Sequence, residues 1–333
     1  MADPHDIDED LLHRIRHAAF ELRAEDPQGA VRELRKAAAQ GGAAEVLARG
    51  ALGEIYFEEF GDLDGAAAEY QKVLQLAPGL PAAQLGLGRV HREMGRNPEA
   101  DAGLARALDG LQRDLRSFRD AKEPPPGAEE VVLSLMEVAI ELLELRSNGS
   151  VGKLPLDEEL LAWAEGARLF DALAEEDPDA AAEDWVRYHS LRAQLRSLQG
   201  RSEETPSLLE QAEKDGRLPE IHAARLRSEA LEDVGDLEGA AVQARRLLDA
   251  EKTIGAPWEA DDVLRTAALL VATGNDASAA SYLTAAVTQF DELVRLADAD
   301  TRSLYEADRK RLKDALEEPQ PEGPPKLVRL GKK

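Results

Sequence analysis

Small residues and turn glycines recur at a fixed interval in this chain. That recurrence constrains its shape more than any single residue does. Residues 47–78, LARGALGEIYFEEFGDLDGAAAEYQKVLQLAP, read as two short helices joined at Gly61-Asp62 and stopped by Pro78, which cannot continue a helix. The first helix carries Leu52, Gly53 and Tyr56; the second carries Ala66, Tyr70 and Val73. Gly53 and Ala66 are small enough to let two helix axes approach, and Tyr56 and Tyr70 are expected to fill the gap between them. Asp62 follows the turn, and Asp64 is placed to cap the second helix. Residues 81–112 repeat the register with Leu87-Gly88, Gly95, Ala100, Leu104 and Ala107, and His91 stands where the aromatic stood. Gly61 and Gly95 lie one period apart.

This register resembles the tetratricopeptide repeat, W-x2-L-G-x2-Y, then A-x3-F, then P. Two departures stand out. Gly50 occupies the neighbourhood of the Trp, and one extra residue between Tyr56 and Gly61 predicts a lengthened first helix. The resemblance implies an all-α, right-handed solenoid of about fifteen helices, in two blocks meeting near 120–155. It also implies that first helices line a concave face. That face would carry Glu54, Phe57, Leu85, Arg89 and Arg92 in the N-terminal half, and Arg225, Glu229 and Glu232 in the C-terminal half. Some family members clamp a peptide carboxylate with Lys and Asn. The matching positions here hold Gly50, Glu54, Leu85 and Arg89, so that clamp is not reproduced.

Along the chain, residues 1–10 read as a disordered N-terminus and 11–122 as a first repeat block. Within that block a helix from about Leu11 to Ala24 is followed by one opened by Asp26-Pro27. A long helix from about Pro98 reaches Lys122. Residues 123–178 hold the break Pro124-Pro125-Pro126-Gly127 and two connecting helices. The first, over 129–146, is apolar on two faces and should be buried between neighbours. The second begins at Pro155 and passes Trp163 and Phe170. A weaker repeat block spans 179–316, with turn glycines Gly200, Gly235 and Gly274, Thr205-Pro206 as an N-cap and first turn, and an insert at Gly255-Ala256-Pro257. Its last helix, about 302–316, would cap the array. The tail 317–333 is Pro-rich, then basic through Lys326, Arg329, Lys332 and Lys333, and is expected to be disordered.

Ala and Leu supply the core, because aromatics make up only 4% of the chain; that favours helices. No apolar run is long enough for a membrane helix, and the acidic start MADPHDIDEDLLHRIR does not read as a secretory signal. Zero cysteines exclude disulfide and thiolate chemistry. The net charge of −25 argues against nucleic acid. It keeps an Ala-rich surface soluble, or offers an acidic face to a basic partner, or adapts the chain to high salt.

Candidate chemistry is sparse. Residues 147–154, SNGSVGKL, lack the first Gly and the final Ser or Thr of a phosphate-binding loop. His13 and His17 sit one turn apart, a metal-ligand spacing without further ligands beside it. His91 reads as a packing substitute, and His189 and His222 have no nucleophile at hand. No cofactor is implied. The sequence therefore points to a non-enzymatic scaffold or adaptor in a bacterial cytoplasm, binding a protein or peptide on its solenoid surface. A chaperone-like partner for a basic or secreted client and a metal-dependent protein using His13 and His17 are the alternatives.

Overall fold

The computed structural model describes residues 7–119, 127–147, 156–176 and 178–317, and among these the chain is all-α with fifteen helices. It divides into two units, Met1–Glu175 and Glu176–Lys333.

In the first unit, helix α1 begins at Glu9 with Asp8 as its cap, widens into a π-helical turn at Ala18–Leu22 and closes with Arg23–Glu25. It is followed by α2 (Pro27–Ala38), α3 (Gly42–Glu58), α4 (Leu63–Leu76), α5 (Pro81–Glu93), α6 (Asn97–Arg119), α7 (Ala128–Ser147) and α8 (Leu156–Glu176). Residues 120–126, residues 148–155 with Pro155, and residues 318–333 lie outside the described residues.

Each helix from α2 to α6 packs on the next in sequence. The lengthened first helix is present: α3 has 17 residues where α5 has 13. Gly61 and Gly95 adopt positive φ, at 60° and 70°, a conformation that glycine reaches without a Cβ penalty.

The cap of α4 differs from expectation. Asp62, not Asp64, accepts the Gly65 N–H at 2.9 Å. The reason lies at the third helical position. A Cβ on Gly65 would stand 2.4 Å from Asp62 Oδ2, so glycine there leaves room for the carboxylate. The same Asp-x-x-Gly device caps α2 through Asp26 and Gly29, and recurs in the second unit at Asp236 and Gly239.

Tyr70 is buried and fills the gap as expected. Its ring lies between two glycines: a Cβ on Gly53 would meet it at 2.8 Å and one on Gly86 at 2.3 Å. Tyr56 does not share that gap. It is half-buried, accepts a hydrogen bond from Arg35 Nη2 at 2.5 Å, and borders two apolar clusters. One cluster runs from Ile15 through Leu34 to Ile55; the other holds Tyr70, Val73, Leu87 and Val90. Helix α7 buries Val132, Leu133, Met136, Val138, Ile140 and Leu142, as its two apolar faces require.

The second unit contains α9 (Pro178–Leu198), α10 (Thr205–Lys214), α11 (Glu220–Asp233), α12 (Leu237–Ile254), α13 (Ala260–Ala272), α14 (Asp276–Leu296) and α15 (Ala299–Glu317). Thr205 does not cap α10. A 3-10 turn at Ser202–Glu204 runs straight into the helix, so the backbone is already helical there, and the Thr205 hydroxyl is buried without a partner. At the small-residue position of α11, Ser228 comes close enough to donate to the Ala240 carbonyl at 3.0 Å. The insert after Gly255 is anchored by Trp258, whose Nε1 donates to the Leu248 carbonyl at 2.7 Å. Helix α15 buries Leu312 and pairs Arg309 with Asp291.

Candidate functional site

The residues projected onto the first-helix faces fall into one cluster in each unit. In the first, α5 places Arg89 and Arg92 one turn apart, and both converge on Glu141 of α7. Arg89 Nε donates to Glu141 Oε1 at 2.7 Å and Arg92 Nη1 to Oε2 at 3.0 Å, with Glu137 Oε2 3.8 Å from Arg89 Nη2. Phe57 is half-buried in the Tyr70 cluster, and Leu85 is half-buried.

Glu54, on α3, is exposed. Desolvation by the surrounding protein, and next the charge of Glu58, push its carboxyl above the ordinary range; Arg23 and Arg89 pull it back. The buried Tyr70 phenol is raised as well, by burial first and then by the charges of Glu54 and Glu58.

In the second unit, Arg225 of α11 reaches across to α13, with Nη2 2.6 Å from Asp262 Oδ2, and lies 3.5 Å from Glu251 and 3.7 Å from Glu259. Arg265 of α13 returns the contact, bonding Glu232 through Nε at 2.6 Å and lying 3.4 Å from Glu229. Arg225, Glu229 and Glu232 are thus brought together by two residues the sequence reading did not single out, Asp262 and Arg265. Glu229 keeps 55% of its side chain exposed, yet desolvation is the first cause raising its pKa.

Glu54 and Glu229 share an unusual combination, since solvent reaches them while protein crowds them. Shifts on second helices go both ways. Glu33 on α2, exposed, and Glu210 on α10, half-buried, are held low, each first by its hydrogen bond to a lysine, Lys36 and Lys214. Asp114 on α6 and Glu251 on α12 are raised, burial first.

Residues 58–122 match the tetratricopeptide repeat family. That span covers the α4–α6 stretch in which the register is cleanest. Among curated proteins no sequence relative matches the chain. Among solved structures, a tetratricopeptide repeat protein from Parabacteroides merdae is 13% identical, over 91% of this chain and 99% of that one, with a TM-score of 0.43. An assembly chaperone of RpL4 is 20% identical over 75% and 91%, at 0.45. The TPR2AB domain of yeast Sti1, in complex with a pHSP90 peptide chain, is 16% identical over 82% and 100%, at 0.29.

The remaining candidates are placed as follows. His13 and His17 are exposed, with His17 Nε2 3.8 Å from Glu21. Among the described residues no group of three His, Cys, Asp or Glu is arranged to hold a metal ion, and no helix is long and apolar enough to cross a membrane. His91 is half-buried with Nδ1 unpaired. His189 is buried, stacks on Trp185 at 5.5 Å, and is lowered to about 3 by burial first and then by Arg192 and Arg217. Sequence reasoning missed Glu137 and Glu141. Their signal was present: two carboxylates one turn apart on a helix otherwise apolar on two faces.

Proposed function

We propose that this chain is a non-enzymatic scaffold or adaptor of the cytoplasm that binds a partner protein or peptide on its first-helix faces. The reading is supported by the pair Glu54 and Glu229, which solvent reaches and whose carboxyls are nonetheless raised first by desolvation. Repeat arrays of this kind present such faces to their partners. In this reading Phe57 and Leu85 supply apolar contact beside Glu54. Arg89 and Arg92, held by Glu141, shape the wall. Arg225 and Glu232 do the same in the second unit.

A photo-crosslinking residue at position 54 or 229 of the full chain, in its own cells, should capture a discrete partner. The same residue at positions 33 and 210 should not. Equal capture from all four positions, or none from 54 and 229, would sink the assignment.

The excess of 66 acidic over 41 basic residues supports a second reading, a chaperone-like partner for a basic or secreted client. Such a complex should weaken steeply with added salt, whereas a salt-insensitive one favours the scaffold.

A further inference from the structure

A cleft of about 630 Å³ opens in the second unit. The start of α11 forms one wall, the outer side of α12 the other, and Tyr282 of α14 closes one end. Its lining mixes charged and polar side chains with exposed apolar ones. Ile221, Val242 and Ile254 all face it, and Val242 and Ile254 are 49% and 69% exposed.

Arg245 stands among these side chains. Its Nε is buried without a hydrogen bond, and among the described residues its guanidinium has no ion-pair partner. Most arginines of the unit differ: Arg201, Arg225, Arg227, Arg246, Arg265 and Arg311 each face a carboxylate, while Arg302 bonds the Ala297 carbonyl. Acids outnumber bases throughout the chain, so an arginine left without one is a departure. The other charges of the cleft are committed. Arg246 is held by Glu213 and Glu220, and Asp249 lies 3.4 Å from the Tyr282 hydroxyl. The field of Arg245 reaches that hydroxyl too, and opposes the larger effects of burial and Asp249 on it.

The buried Nε is without a bond, and among the described residues no carboxylate pairs with the guanidinium. A carboxylate brought into the cleft would supply a charge-assisted bond to it. We propose that this cleft docks a segment of a partner protein that carries a carboxylate beside branched apolar side chains. The carboxylate pairs with Arg245, and the apolar side chains cover Val242 and Ile254. This site rests on the same reading of the chain as a protein binder, but it is centred on Arg245 of α12.

Fluorescence anisotropy with the full chain tests it. The probe is a short capped peptide of alternating Leu and Asp, compared with its Leu-Asn and Leu-Lys counterparts. The Leu-Asp peptide should bind, and the Leu-Asn and Leu-Lys peptides should bind about tenfold more weakly or worse. Arg245→Glu should abolish binding and Ile254→Ser should weaken it, with circular dichroism melting unchanged in both. Glu33→Lys, in the first unit, should leave it intact. The proposal is overturned if the Leu-Asp peptide does not bind at millimolar concentration, if the Leu-Asn peptide binds equally, or if Arg245→Glu has no effect. Loss of partner crosslinking at positions 54 and 229 with this cleft still functional would overturn the first-helix reading alone.

Discussion

Gly86→Ala tests the packing logic most directly. Glycine in a helix interior costs about 1 kcal/mol relative to alanine, so on propensity alone the change should stabilise α5. The structure predicts the reverse. The new methyl would stand 2.3 Å from Tyr70 Cζ, and ordinary contact begins at 3.4 Å, so the ring must retreat by more than an ångström. It has nowhere to go, because Gly53 already lies against the opposite side. Overpacking of this kind costs about 1–3 kcal/mol. With the tightness of the fit placing it near the upper end, the net loss should be about 1–2 kcal/mol after the propensity gain.

Urea unfolding of the full chain followed by circular dichroism measures it. The decisive comparison is the same substitution in a Tyr70→Leu background. Without the ring the methyl has room, and Gly86→Ala should become neutral or stabilising by up to about 1 kcal/mol. The two backgrounds should therefore differ by about 2 kcal/mol, a coupling expected only of residues in contact. A stabilising effect of equal size in both would refute the reasoning.

Further expectations concern caps and charges. Asp62→Ala and Asp236→Ala should each cost about 1 kcal/mol, and amide exchange at Gly65 and Gly239, whose N–H groups lose their acceptors, should accelerate. Glu141→Gln leaves Arg89 and Arg92 without their shared carboxylate. Both arginines are one-third exposed, so solvent softens the loss to about 1–3 kcal/mol by urea unfolding. His189 is neutral when folded, with its pKa lowered to about 3 from 6.5. The unfolded chain therefore binds the extra proton first. The contribution of His189 is fully present above pH 6.5 and is lost as pH falls toward 3. Between pH 7 and 5 the melting temperature should decline, and His189→Leu should flatten that slope.

What was legible in the sequence was set by sterics. Gly61, Gly95, Gly200, Gly235 and Gly274 all take positive φ. Ala66, Ala100, Leu104 and Ala107 are all fully buried. Turn conformation and close approach admit few residue types, so composition at those positions gives them away. The cap of α4 was harder, because Asp62 and Asp64 are both plausible until the role of Gly65 is seen. The charge clusters were harder still. With carboxylates on every helix, the choice of Glu141 for Arg89 and of Asp262 for Arg225 depends on which neighbour a long side chain can reach. Period and register do not encode that.

Tyr56 touches both apolar clusters of the first unit without being sealed inside either. Its ring is therefore a coupling between two segments that each bury their own side chains. Cooperativity in such a chain is transmitted through its seams. Tyr56 shares that seam with Val46, Phe57 and the Gly53–Tyr70 contact, so exchanging this tyrosine for a small residue would loosen the join between the segment up to α3 and the segment beyond it, broadening the melting event without splitting it.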